Sequence, residues 1–161
     1  MRLFHASTRI WKPGDEIVAT HSTSYHPSAT LALDAKRPID LPSRSLCLFA
    51  TERAVGATKF MMAEREWKLG GVGDFKVYEV EADGFHRAPF RLNFEIDRRF
   101  QAGQSVDALV AEYWMPTKDW FFYEYFGPSF RVVQEVPLAT SAELLSFGLS
   151  YDRDMRMSAS L

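Results

Sequence analysis

Apolar and polar positions alternate over Phe75–Ala82 and again over Phe130–Val136, and a repeat of two predicts strands with one buried face. Leu46–Thr51 is a nearly unbroken apolar run, the mark of a strand covered on both sides. Leu3–Ala6 predicts a short first strand ended by Ser7–Thr8, with a turn at Lys12–Pro13–Gly14–Asp15 and a resumed strand at Ile17–Ala19. Trp120–Tyr125 is an aromatic strand, and Gly127–Pro128–Ser129 joins it to Phe130–Val136 as a hairpin. Helical spacing appears over Glu52–Glu66, where Ala54, Ala57, Phe60/Met61 and Glu64 recur on one face and Thr51 is placed to cap. Ser105–Trp114 predicts a second helix, capped by Ser105 and stopped by Pro116, and Ser141–Phe147 a short one before a polar tail. Between Thr20 and Ser45, a stretch rich in Ser, Thr, His and Pro, only Ala29–Ala35 has helical composition; the signal at Phe94–Phe100 is mixed.

No repeat, linker or low-complexity segment divides these elements. They predict one α+β domain over residues 1–161, with two small, mostly antiparallel sheets, helices outside, and 137–161 as a partly flexible extension. At 161 residues, 47% hydrophobic and 25% charged, the chain can close one core without a disulfide or structural metal. Its single cysteine, Cys47, lies in an apolar strand and reads as a small hydrophobe. A formal charge of −2 lacks the basic excess that marks nucleic-acid binding. Charge-free runs fall far short of the roughly 20 apolar residues that cross a bilayer, and the polar N-terminal stretch lacks a signal-peptide pattern, so the expected residence is cytoplasmic. The surplus is aromatic: 13 Phe, 6 Tyr and 4 Trp, many between Tyr113 and Phe130, offer flat surfaces for a core or a planar ligand.

Most chemical motifs are missing. Gly70–Gly73 precedes a strand and is followed by no Lys-Ser/Thr, so it reads as a turn and not as a phosphate loop. His5, His21, His26 and His86 lack paired ligand spacing, and no metal site is expected.

One ordered set remains: Leu3–Phe4–His5–Ala6–Ser7, then Leu48–Phe49–Ala50–Thr51 running into a helix, then Tyr123–Glu124–Tyr125–Phe126–Gly127–Pro128–Ser129–Phe130. In that order and context the chain resembles the ADP-ribosyltransferase-like superfamily, in particular the poly(ADP-ribose) polymerase and rifampin ADP-ribosyltransferase catalytic domains, together with uncharacterised bacterial and phage proteins of that fold. The matching segments cover about a quarter of the chain.

The resemblance implies an NAD cleft between two small sheets. It implies transfer of ADP-ribose from NAD, as substrate, to a macromolecular acceptor such as a host protein, in the manner of a toxin or phage effector. Glu124 would be the carboxylate that stabilises the oxocarbenium-like ribose, although by pattern alone it reads as a solvent-facing charge on an aromatic strand. His5 would donate a hydrogen bond to a ribose hydroxyl, and the Ala6 backbone would meet the carboxamide where the family has glycine. Ser7 would contribute a hydroxyl or only start the turn. Phe49, where the family often has tyrosine, or Phe60 would stack on nicotinamide, and Thr51 would cap the helix or touch NAD. Glu112 and Asp119 are competing acids, and Tyr25 is placed to reach the cleft from the long loop. The alternative is a catalytically inert relative that serves as an interaction or inhibitor module.

Overall fold

The alternating and apolar segments do form strands, and the computed structural model describes residues 1–20, 26–67 and 74–161, the side chains of 63–67 excepted. Its strands are β1 (Arg2–Ser7), β2 (Glu16–Val18), β3 (Leu48–Thr51), β4 (Lys76–Glu81), β5 (His86–Pro89), β6 (Tyr123–Gly127) and β7 (Ser129–Val136). Its helices are α1 (Pro27–Ala35), α2 (Ala54–Trp67), α3 (Arg91–Gln101), α4 (Asp107–Trp114) and α5 (Ser141–Ala159), with one 3-10 turn at Arg44–Leu46. The chain is therefore α+β. Tyr25 and the Gly70–Gly73 turn lie outside the described residues.

Where the sequence predicts two sheets, the described strands hydrogen-bond in one open antiparallel sheet of order β2-β7-β4-β1-β3-β6-β5. Its thinnest seam is central. β1 pairs with β4 along six residues but with β3 only at Phe4↔Thr51. Extending that register would pair Ala6 with Phe49, yet the strands part there, and the Phe49 carbonyl instead accepts the His5 ring Nδ1–H at 2.6 Å. A side chain thus satisfies a backbone group that the ladder leaves behind.

The two-residue period separates two packing layers. Leu3, Tyr78, Val80, Phe126 and Val132 belong to the main core with Leu33, Leu92, Ile96 and Tyr113. Phe4, Ala6 and Val77 meet Ala57 and Met61 of α2. α3 packs against α1, α4 and α5.

Several boundaries differ from the sequence reading for local reasons. Thr51 does not cap α2: its hydroxyl donates to the Arg53 carbonyl at 2.8 Å, and that carbonyl accepts the Gly56 and Ala57 N–H groups. α4 begins at Asp107 with Val106 at its N-cap, so Ser105 is not the cap. α3 covers the stretch of mixed signal, and its buried residues are Leu92, Asn93, Glu95 and Ile96. α5 opens with a capping box between Thr140 and Glu143 and continues past Phe147 to Ala159. Buried Asp154 on α5 accepts the Phe121 and Phe122 N–H groups at 2.8 and 3.0 Å, tying the C-terminal segment to the entry of β6. Among the described residues no helix is long and apolar enough to cross a membrane.

Candidate functional site

Where β1 and β3 part, the sheet opens into a cavity of about 340 Å³. This is at the small end of the volumes that take organic ligands. Its lining includes His5, Ala6 and Ser7 from β1, Phe49 and Thr51 from β3, Phe60 from α2 and Glu124 from β6. Every residue singled out above as catalytic or NAD-binding therefore borders one space. The competing acids do not. Asp119 is almost fully exposed and pairs with Arg153 at 3.1 Å. Glu112 accepts from Thr117 N and Oγ1, Lys118 N and Trp120 Nε1 at 2.7–3.0 Å, which fixes the connection between α4 and β6. Burial opposes ionisation of Glu112, but those donors outweigh it and lower its pKa.

Glu124 is buried, not the solvent-facing charge that the strand pattern suggests. Oε1 accepts from Arg44 Nη1 at 2.5 Å, Tyr113 Oη at 2.5 Å and Asn93 Nδ2 at 2.8 Å. No described donor engages Oε2, which leaves that oxygen for a ligand. Three other elements build this clamp: the 3-10 turn carries Arg44, α3 carries Asn93 and α4 carries Tyr113. The Arg44 guanidinium lies over the rings of Phe49, Tyr113 and Phe126 at 4.7, 5.1 and 5.3 Å, and its Nη1 also donates to Tyr113 Oη. Burial would lower the Arg44 pKa, but the Glu124 carboxylate more than compensates and raises it. Burial, with Glu124 beside it, also pushes the Tyr113 phenol well above its ordinary value, so it stays a donor. Asn93 is oriented without ambiguity, because Nδ2 donates to both Phe90 O and Glu124 Oε1.

His5 also lines the cavity, packed on Trp11 and Phe130 with ring centroids 5.3 and 5.1 Å away. Burial pulls its pKa down to about 4, so the ring is neutral near pH 7. A carbonyl only accepts, hence Nδ1 carries the proton shared with Phe49 O, and Nε2 is left as an acceptor. The donor role foreseen for His5 is thereby corrected: it can receive a ligand hydroxyl's hydrogen, not supply one. Ser7 Oγ accepts the Arg9 N–H at 3.0 Å and so starts the turn while bordering the cavity.

Phe49 carries the Arg44 cation on its ring and lies 5.9 Å from Phe126, whereas Phe60 meets Phe90 edge-on at 5.7 Å. Cys47 is buried and donates to Ser43 O, with a thiol pKa pushed up to about 11 by burial, so it is no nucleophile.

Sequence reasoning missed Arg44, Asn93 and Tyr113. Arg44 lies near the end of the polar stretch between Thr20 and Ser45, where nothing local marks it. Asn93 lies just before the stretch of mixed signal at Phe94–Phe100, and Tyr113 reads as an ordinary helical aromatic. No family model matches the chain, and no curated protein does.

Proposed function

We propose that the chain is a mono-ADP-ribosyltransferase-type domain that takes NAD as substrate and passes ADP-ribose to a macromolecular acceptor. The supporting observation is that seven residues, chosen by type and order between positions 5 and 124, border a single 340 Å³ opening in the sheet. In this reading the inner cavity receives nicotinamide and its ribose. Glu124 Oε2 and His5 Nε2 are acceptors on residues that line this cavity, suited to the hydroxyls of a sugar. Phe49 and Phe60 supply apolar ring surface for nicotinamide.

The chemistry is a substitution at the ribose C1′. The bond from C1′ to the nicotinamide nitrogen breaks, and nicotinamide leaves as a neutral molecule with the electron pair. Positive charge develops on the ribose, where a fixed carboxylate in a poorly solvated site stabilises it. The acceptor nucleophile forms the new bond to C1′ and gives up its proton to water. Because three donors hold Oε1, the Glu124 carboxylate needs little reorganisation when the charge appears.

The close pairing of Glu124 with Arg44 favours a second reading, a module that binds without turnover, since the cation offsets part of the field the ribose would feel. Nicotinamide release from NAD by the purified protein, beside His5→Ala and Glu124→Gln, separates the two. Transfer chemistry expects release by the wild type, loss of at least tenfold in each variant, and saturable NAD binding retained by His5→Ala. Binding without release supports the inert module, and absence of both refutes the NAD reading.

A further inference from the structure

Bond formation at C1′ releases a proton when the attacking group carries one, and a buried side chain on the cavity lining is built to receive it. His26, the residue before α1, is 7% exposed and borders the cavity together with Arg44, Asn93 and Glu124. It also borders a second depression of about 320 Å³ along α3, with Phe94 and Asp97. Its ring meets Phe94 edge-on at 4.3 Å, and Nδ1 lies 3.8 Å from Asp97 Oδ2.

Asp97 is itself held in place. Oδ1 accepts the Ala29 N–H of α1 at 3.3 Å, and Oδ2 accepts Gln101 Nε2 at 2.9 Å. An imidazole oriented by a fixed carboxylate is the arrangement of a general base. Among the described residues, the charged groups around the ring are Asp97, Arg91, Glu95 and Arg98 on α3, Arg44 on the 3-10 turn and Glu124 on β6. Asp97 and Glu124 favour a protonated ring and Arg44 opposes it, but burial outweighs the carboxylates and lowers the His26 pKa, so the ring is neutral near pH 7. The two carboxylates offset the charge once a proton arrives. His5 is the weaker base, because Nδ1 is committed to Phe49 O and burial holds its pKa to about 4.

We infer that His26, oriented by Asp97, takes the proton of the group that attacks C1′, and that this group is a hydroxyl, of water or of an alcohol. A neutral imidazole relieves a hydroxyl of its proton as the new bond forms, whereas a carboxylate has none to lose at pH 7 and a guanidinium holds its own too tightly. In this step the hydroxyl oxygen bonds to C1′ and its hydrogen passes to the His26 ring. The C1′–N bond breaks, nicotinamide leaves with the electron pair, and the imidazolium then returns the proton to water. This rests on the reading of the cavity as a nicotinamide-ribose site.

Nicotinamide release per folded molecule is followed from about pH 5 to 8 for the wild type, His26→Gln and Asp97→Asn, in water alone and with methanol or azide added, and NAD binding is measured in parallel. His26→Gln is expected to lose at least about tenfold in release, a modest share for a general base, while keeping NAD affinity within about threefold. It also loses the acidic limb of the pH profile. Azide, a nucleophile with no proton to lose, restores its release to within about threefold of the wild type. Asp97→Asn keeps the limb but moves it to lower pH, since a carboxylate that favours the protonated ring is gone. With the wild type, methyl ADP-riboside formed from methanol assigns the hydroxyl to alcohols, and ADP-ribose alone assigns it to water.

A loss below tenfold in His26→Gln, a loss that azide leaves in place, or a surviving acidic limb overturns the base and leaves the NAD reading intact. So does an unmoved limb in Asp97→Asn, and that variant carries the test if His26→Gln does not fold. NAD bound but not cleaved by the wild type refutes the base alone, and NAD neither bound nor cleaved refutes both.

Discussion

Replacing Glu124 by Gln tests the clamp at its centre. The substitution keeps the size of the side chain and an oxygen for Tyr113 and Asn93, but it removes the charge opposite Arg44. Both side chains are 6% exposed and their closest atoms lie 2.5 Å apart. At that separation and an effective dielectric near 20, the gross attraction is about 7 kcal/mol. The three aromatic rings around the guanidinium recover part of the loss by cation–π attraction, roughly 1–2 kcal/mol for a desolvated contact. What remains is the cost of an uncompensated buried cation, about 3–5 kcal/mol. Domains of this size are stable by about 5–15 kcal/mol, so Glu124→Gln consumes a large part of that margin.

Urea unfolding followed by circular dichroism reads the loss directly. The companion Arg44→Met/Glu124→Gln removes both charges and fills the space with a hydrocarbon chain of similar length. It should regain at least about 2 kcal/mol of what the single variant loses. A loss below about 1 kcal/mol in Glu124→Gln, or a double variant no more stable than the single one, refutes the account of this pair. The double variant also tells structural loss from chemical loss, since a folded protein that still fails to release nicotinamide has lost the carboxylate's chemistry and not merely its fold.

The low His5 pKa predicts an acid-sensitive stability. The unfolded imidazole takes a proton near pH 6.5, whereas the folded one resists until about 4. Unfolding therefore binds a proton between those values, and stability is full above pH 6.5 and declines by about 2–3 kcal/mol as pH falls towards 4. His5→Gln should flatten that part of a urea-midpoint titration, and an unchanged slope refutes the assignment. Glu112→Gln, which weakens four hydrogen bonds at one connection, should cost about 2–3 kcal/mol but leave nicotinamide release per folded molecule within about twofold. A greater than tenfold loss of release would make Glu112 a chemical participant after all. Gly56→Ala puts a methyl 2.5 and 2.6 Å from Cε2 and Cζ of Phe122, whose ring is wedged against Phe90 and Phe147. Overpacking costs about 1–3 kcal/mol, which exceeds the roughly 1 kcal/mol that alanine gains over glycine in a helix. The melting temperature should fall by a few degrees, and a rise shows that the ring yields freely.

Most strand positions were legible from local pattern because a strand's two faces are written in adjacent residues: β4 and β7 alternate, β3 is apolar up to Thr51, and the aromatic run overlaps β6 at Tyr123–Tyr125. β5 carries no such pattern, and β6 and β7 do not pair as the expected hairpin. The candidate site residues were legible for a different reason, the order of three short segments and their resemblance to a known family. That reading named what borders the cavity but not how the groups act.

Tertiary structure alone decided partners separated along the chain. Arg44 and Glu124 are 80 positions apart, and no local period marks one as the other's counter-ion. Which nitrogen of His5 bears the proton depends on a carbonyl 44 residues away that the parting strands leave unpaired. Whether Glu112 or Glu124 faces the opening depends on which backbone amides close around the former. The union of all described strands into one sheet likewise hangs on a single pair, Phe4↔Thr51. Local sequence sets which way side chains alternate; the free energy of hydrogen bonding and charge pairing between distant segments selects which of them meet, and that choice is made only when the whole chain packs.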